Sequence, residues 1–215
     1  MFIDTHIHEN RFSSDSSINL NDIVNESQRL GLDGICITDH ESNYIYDIAM
    51  EYSKKRNFLI IVGSEILTYE GDILVFGMNN VPKEKLHAQE LIDLVTDSGG
   101  ICIAAHPFRR NRSLGFNIRN LTGLTGIECF NGNTDKFRNI YAYGLAVEQN
   151  LSMLGGSDAH LFKNIGKCCT YFPTKIENEL EFINAIKSRN TKPAIFNGVS
   201  YEIINIRDIY DNNKI

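Results

Sequence analysis

The sequence lacks the features that mark membrane-spanning, exported and disulfide-stabilised proteins. Its longest apolar runs, FLIIVG and ILVFGM, are far too short to cross a bilayer. No basic segment followed by an apolar one begins the chain, so we expect no signal peptide and a cytoplasmic location. The five cysteines form no CxxC pair, and an odd number within apolar runs is typical of reduced, buried thiols.

The sequence also lacks a basic tail or any long basic run. Its formal net charge is −6, which argues against a broad electrostatic grip on duplex nucleic acid. A small nucleotide or a short nucleic-acid end remains compatible with this charge. No membrane partner is expected.

Seven short β-rich runs alternate with amphipathic helical segments along most of the chain. This alternation is typical of an α/β fold with a parallel sheet, either a barrel or a doubly wound sheet. No GxGxxG follows the first strand, so a Rossmann domain is disfavoured. A length of 215 residues, without repeats or an obvious linker, predicts one domain over residues 1–215.

Polar residues that can ligate metals follow the ends of five of these predicted strands. They are His6 and His8, Asp39 and His40, Glu65, His106, and Asp158 and His160. The carboxyl ends of parallel strands share one rim, where α/β folds build their sites. Burying so many titratable groups without partners would cost several kcal/mol each. Bound metal ions would remove this cost, because carboxylates and neutral imidazoles then become ligands.

Taken together, the motifs THIH, SSDSS, ITDH, GSEI, AAHP and GSDAH resemble those of the PHP family, named for its polymerase and histidinol-phosphatase members. They occur in the family's order, within about residues 1–165. The resemblance implies a distorted (β/α)7 barrel, with the C-terminal part packed on it. It also implies two or three divalent metal ions at the rim and hydrolysis of phosphate esters.

The resemblance implies three metal sites. The first would be held by His6, His8 and Asp158, and the second by His106, with Glu65 bridging the two. The third would be held by Asp15, His40 and His160. Asp15 keeps the family's aspartate but not the glycine that often follows it, so a solvated serine-rich loop is the alternative for this residue.

Asp72 stands where many relatives carry a histidine. It either completes the second metal site or is only the first residue of a strand. Asp4 shares a face with His6 and His8 by strand alternation and is expected to orient one of their rings. Asp39 points away from His40 by the same rule, so we expect it to support ligands rather than to be one.

Cys129 and His87 are expected to lie outside the site. Cys129 and Asn131 share a face by strand alternation, and Cys129 is expected to pack in the core. His87 falls in a helical segment and is expected at the surface.

Nitrogen and oxygen ligands without thiolates suit manganese, iron or zinc ions that do chemistry. By resemblance, a hydroxide bridging two such ions would attack the phosphorus of a phosphorylated small molecule or nucleotide. The residues expected to act in catalysis are Glu65, His106, Asp158 and His160. Arg109, Arg110 and Arg112 follow His106, and we expect guanidinium groups from this loop to bind the substrate phosphate. The alternative is a solvated basic loop.

Three other functions are compatible with parts of this pattern. A barrel that keeps its metals without turnover would be a scaffold, although the complete ligand set argues against this. Amidohydrolases also carry HxH on the first strand, but they commonly use a lysine at a strand end, and none is found here. An exonuclease or a phosphodiesterase acting on nucleotide ends would need a grip on nucleic acid that the net charge does not indicate.

Overall fold

The computed structural model describes residues 1–205, which form eleven strands, five α-helices and two short 3-10 helices. The strands are β1 Phe2–Ile7, β2 Gly34–Ile37, β3 Leu59–Val62, β4 Ser64–Leu67, β5 Asp72–Phe76, β6 Ile101–Ala104, β7 Gly126–Asn131, β8 Ser152–Gly156, β9 Cys168–Tyr171, β10 Lys192–Phe196 and β11 Tyr201–Ile203. The helices are α1 Leu20–Arg29, α2 Tyr46–Arg56, α3 Ala88–Asp97, α4 Lys136–Glu148 and α5 Glu179–Lys187, and the 3-10 helices are Gly115–Asn120 and Phe162–Asn164.

The strands form two sheets, so the predicted α/β class is confirmed, but residues 1–205 do not form a single closed (β/α)7 sheet. One sheet has the order β11-β10-β9-β1-β2-β3 and the other has the order β4-β5-β6-β7-β8. Isolated bridges between Ile7 and Ala159 and between His40 and Glu65 join strands of the two sheets. Both bridges lie where β1, β2 and β8 end, which we call the rim.

The third predicted strand, FLIIVGSEI, is split at Gly63 into β3 and β4, which belong to different sheets. A Cβ atom at Gly63 would lie only 2.6 Å from the Phe76 ring and from the Val75 carbonyl oxygen. Only glycine allows the two backbones to approach this closely. The close approach therefore sets the point at which the chain leaves one sheet for the other.

β5 runs opposite to its neighbours. It follows β4 through a tight turn in which both the N–H and the hydroxyl of Thr68 donate to the Gly71 carbonyl. With no helix to return the chain, β5 pairs antiparallel with β4 and β6, whereas β1-β2-β3 and β6-β7-β8 are parallel. The reversal brings Asp72, the first residue of β5, to the rim at which the parallel strands end.

Helices cover the outer faces of the sheets. Leu91 and Val95 of α3 pack in a cluster with Val75, and Ile23 of α1 packs in a second cluster with Ile35. Asn19 caps α1 by accepting from the Asp22 N–H at 3.0 Å. All five cysteines are buried and free, as predicted, and Cys129 lies in the core.

The C-terminal third extends the first sheet. β9 pairs antiparallel with β1, and β10 and β11 follow it towards the sheet edge. The sequence predicts α5 and allows β11, but β9 and β10 are short and were not predicted. The segment YEIINIRDIYDNNKI is expected to form a final strand or a short helix, and its end, residues 206–215, lies outside the described residues. Within residues 1–205, no helix is both long and apolar enough to cross a membrane.

Candidate metal centre

The structure brings all nine predicted ligands to the rim. Four of them form a buried cluster whose ligand atoms face one another. His6 Nε2 and His8 Nε2 are 3.0 Å apart, and both lie 3.4–3.5 Å from Asp158 Oδ1. Glu65 Oε2 lies 3.5 Å from His6 Nε2 and 3.3 Å from His8 Nε2. We call these four residues the first cluster.

The spacing in the first cluster fits a bound metal ion. Ligands that bind one ion at about 2.1 Å, with bond angles of about 90–110°, lie about 3.0–3.4 Å from each other. Asp158 Oδ1 and Glu65 Oε2 are buried but make no hydrogen bond of good geometry. Unpartnered buried carboxylate oxygens are costly unless a cation binds them.

Glu65 also contacts a second cluster through its other oxygen. Glu65 Oε1 lies 2.7 Å from His106 Nε2, and Asp72 Oδ2 lies 3.8 Å from the same nitrogen. Both oxygens of Asp72 are buried without a hydrogen-bond partner. Burial, together with the nearby Glu65, raises the pKa of Asp72 to about 7. Asp72 is therefore both a strand-start residue and a part of this cluster.

A third cluster lies at the exposed mouth of the site. Asp15 Oδ2 lies 3.1 Å from His40 Nε2 and 3.4 Å from His160 Nε2, and the side chain of Asp15 is 52% exposed. The other nitrogen of His40 lies 3.1 Å from Glu65 Oε2. The serine-rich loop thus turns Asp15 towards the two imidazoles rather than away from them.

The charges of the buried clusters balance one another. Burial acts to lower the pKa of His8, but the nearby carboxylates of Asp158 and Glu65 raise it to about 9. Burial acts to raise the pKa of Glu65, yet the surrounding imidazoles hold it well below its ordinary value. When no cation is bound, protons on His6 and His8 would therefore balance the charge of these carboxylates.

Two residues of these clusters have left-handed backbone conformations. His106 has φ 28° and Asp158 has φ 52°. Such conformations cost about 1–3 kcal/mol each in residues other than glycine and occur often at functional sites. Here each one turns a side chain at the end of a strand towards the clusters.

Glu128 on β7 is a residue of the site that sequence reasoning missed. Its Oε1 lies 3.0 Å from His6 Nδ1, and its Oε2 accepts from the His106 N–H at 2.8 Å. A register irregularity after Glu128 changes the alternation along β7, so Asn131 also reaches the site. Asn131 therefore does not share a direction with the core residue Cys129, and that prediction is wrong. The sequence does carry a signal for Glu128, because it is the only charged residue in the predicted strand GIECFNG.

One of the two aspartates expected to support the ligands differs from the prediction. Asp4 does not orient a ring; its carboxylate accepts backbone N–H groups of His6, Ser157 and Gly166 at 2.8–3.3 Å. It is therefore a buried cross-link between β1 and the chain after β8. Asp39 accepts from the Ser13 hydroxyl at 3.1 Å, and this hydroxyl lies 3.3 Å from His8 Nδ1.

The arginine loop after His106 faces the mouth of the site. Arg109 Nη1 donates to Asp158 Oδ2 at 2.7 Å, and its Nη2 lies 3.6 Å from Asp72 Oδ2. Arg109, Arg110 and Arg112 line a cavity of about 320 Å³. The third cluster lines the same cavity. His87 lies elsewhere, at the exposed N-terminus of α3, where it contacts Glu70 at 2.7 Å.

Comparisons with known proteins point to a PHP-like fold. A family model described as PHP-associated matches residues 138–191. A two-domain protein from Bacteroides vulgatus, containing a predicted PHP-like metal-dependent phosphoesterase, superposes with a TM-score of 0.76 and 22% identity over 98% of this chain and 68% of that chain. The chain therefore shares a PHP-associated segment and a PHP-like fold with known proteins.

Other similarities extend beyond this PHP protein. An uncharacterised protein of Methanocaldococcus jannaschii is 31% identical over 110 residues, covering 51% of this chain and 64% of the relative. The match thus spans less than two thirds of that relative's length. The lesion-specific endonuclease PfuEndoQ from Pyrococcus furiosus superposes with a TM-score of 0.67 and 17% identity, over 93% of this chain and 57% of that chain. At this identity the likeness concerns the fold.

Proposed function

We propose that the protein is a metal-dependent phosphoesterase that hydrolyses a phosphate ester of a small molecule or nucleotide. The observation that carries this proposal is the first cluster, in which buried carboxylate oxygens without hydrogen-bond partners face ring nitrogens at the spacing of metal ligands. The predicted PHP-like metal-dependent phosphoesterase in the two-domain protein from Bacteroides vulgatus supports the same reaction class.

Two or three divalent ions, of manganese, iron or zinc, fit the donor set. The first cluster would hold one ion, His106 with Glu65 and Asp72 a second, and Asp15, His40 and His160 a third. When bound, such ions supply an acidic water and neutralise charge on phosphoryl oxygens. The remaining chemistry belongs to the residues of the chain.

Glu65 would keep two ions adjacent, because its two oxygens face different clusters. Asp158 would link a metal to the substrate pocket, since its Oδ1 faces the first cluster and its Oδ2 accepts from Arg109 and Asn131. His106, whose backbone conformation is strained, would complete the second site. His160, which lines the cavity at the mouth, would contact the substrate.

The arginine loop would bind the phosphate. Arg109 is held by Asp158, so its guanidinium is already oriented beside the clusters. Arg110 and Arg112 are exposed at the cavity, where they would offset the acidic ligands and attract an anionic substrate.

We further propose that the two sheets together constitute the distorted barrel of the PHP family, as one domain over residues 1–215.

Replacing Glu65 with glutamine tests the proposal. Release of inorganic phosphate from sugar phosphates, mononucleotides and 3′,5′-bisphosphates should fall by at least about 100-fold, because a neutral amide cannot join two cations. The matched control is Glu70→Gln, which lies away from the clusters beside His87. Phosphate release that survives Glu65→Gln would contradict this role, and a wild-type protein inactive on every ester would contradict the proposed function.

A further inference from the structure

The basic residues of this acidic protein are concentrated beside the proposed active site. Residues 107–141 contain six of the 21 lysines and arginines but only two of the 27 acidic residues, Glu128 and Asp135. Glu128 is buried within the site. Three of the six cations are paired with acidic side chains, Arg109 with Asp158, Arg119 with Glu148 and Arg138 with Asp135. The segment is nevertheless basic beside the rest of the chain, which has a net charge of −10 from 15 basic and 25 acidic residues.

This basic segment is fixed to the proposed metal ligands by its backbone. The Arg109 N–H donates to the His106 carbonyl at 2.9 Å, and the Asp72 N–H donates to the Arg112 carbonyl at 3.0 Å. Within residues 1–205, Arg110 and Arg112 form no ion pair with an acidic side chain. Two exposed cations thus remain available at the mouth of the site.

Aromatic side chains continue the surface away from the cavity. Phe108, next to Arg109, has its ring centroid 5.1 Å from that of Phe116 and 6.1 Å from that of Tyr141. Phe116 is 56% exposed, Tyr141 is 64% exposed, and Phe137 on the same face of α4 is 74% exposed. We call Phe108, Phe116, Phe137 and Tyr141 the aromatic platform.

Arg119 stacks on the platform, with its guanidinium 4.5 Å from the centroid of the Phe116 ring, and its charge is paired with Glu148 at 2.8 Å. A surface that only packs against another protein has no need for arginines at the phosphate cavity next to its aromatic rings. Cations that follow a phosphate backbone, beside rings on which bases stack, are instead how proteins bind single-stranded nucleic acid. The bases of a duplex are stacked on one another inside the helix, so they could not stack on these rings.

We infer that the substrate is the end of a single-stranded oligonucleotide, with its terminal phosphate in the arginine cavity and its next bases stacked on the aromatic platform. This inference rests on the proposed phosphoesterase function for the reaction, but the binding surface can be measured by itself. The local charge, rather than the net charge of −6, would attract this substrate.

Two measurements on the manganese-supplemented protein test the inference. The first is fluorescence anisotropy with a phosphorothioate decathymidylate that resists cleavage. Phe137→Ala should weaken binding by at least about fivefold, because one stacked base is lost, and Phe137→Trp should restore it. Leu180→Ala, which removes an apolar side chain that is 67% exposed on α5, should leave binding unchanged.

The second measurement is steady-state hydrolysis of p-nitrophenyl phosphate and of a 5′-phosphorylated decathymidylate. Phe137→Ala should raise KM for the oligonucleotide by a similar factor and leave hydrolysis of p-nitrophenyl phosphate unaffected. If Phe137→Ala and Tyr141→Ala both leave oligonucleotide affinity unchanged, or if the wild type binds no oligonucleotide, the inference fails. A dimer in light scattering that Phe137→Ala dissociates, without oligonucleotide binding, would assign the platform to a second copy of the chain.

The two proposals fail separately. Hydrolysis of p-nitrophenyl phosphate without oligonucleotide binding would leave the phosphoesterase standing and overturn the platform. Oligonucleotide binding that Phe137→Ala weakens, in a protein that hydrolyses no ester, would support the platform and overturn the phosphoesterase.

Discussion

Glu128 Oε1 lies 3.0 Å from Nδ1 of His6, and both side chains are fully buried. A carboxylate at Nδ1 holds the proton of a neutral imidazole there and leaves the Nε2 lone pair facing His8 and Asp158. The other oxygen of Glu128 accepts from the His106 backbone. One carboxylate therefore positions ligands of two clusters without being a member of either.

Replacing Glu128 with glutamine should weaken metal binding at the first cluster by about 10- to 100-fold, because the ring of His6 loses its anionic partner. Competition between the protein and a fluorescent chelator for Mn²⁺ would measure this. Glu177→Gln, on an exposed side chain, is the matched control. Equal Mn²⁺ affinity in both variants would show that Glu128 does not position His6.

The Tm of the chelator-treated protein should fall as pH rises, and bound metal should reduce this fall. The folded-state pKa of His8 is raised to about 9, and that of His6 is also raised, because carboxylates outweigh burial. Stability from their protonation is complete below the unfolded pKa of about 6.5. It is lost as pH rises through about 9, so the Tm in EDTA should fall from pH 6 to pH 9.5.

With Mn²⁺ bound, the ions replace these protons, and the same rise in pH should lower Tm much less. Differential scanning calorimetry with and without EDTA would compare the two slopes. If Tm falls equally with pH in the presence and absence of EDTA, the carboxylates that raise the pKa values of His6 and His8 are not those that bind metal.

Gly63→Ala should destabilise the fold by about 1–3 kcal/mol, because its Cβ would lie 2.6 Å from the Phe76 ring and the Val75 carbonyl. Gly144→Ala is the matched control, since nothing lies within 4 Å of a Cβ at this position of α4. That change should stabilise the protein by up to about 1 kcal/mol. Urea denaturation would measure both, and a neutral Gly63→Ala would contradict the close approach that separates β3 from β4.

The sequence predicts the imidazole ligands because they follow β-rich runs whose parallel ends must meet. Asp72 could not be assigned in this way, since its position depends on the reversal of β5. That reversal follows from a short turn at Thr68 and Gly71, where a helix would otherwise return the chain. A strand start then takes the place of a strand end at the rim.

Strand alternation failed where strands are irregular. The register shift in β7 brings both Glu128 and Asn131 to the site, although they are three residues apart. The role of Asp4 was also missed, because its partners Ser157 and Gly166 are backbone groups more than 150 positions away. Such contacts leave no pattern in the residues near Asp4.

The most direct test of the account is the metal content of the purified protein after incubation with Mn²⁺ and removal of free ions, measured by inductively coupled plasma mass spectrometry. The clusters predict at least two ions per chain in the wild type and a loss of one or more in a His6→Ala, His8→Ala double variant. A wild-type protein that retains no divalent ion, with manganese, iron or zinc supplied in turn, would contradict the central claim.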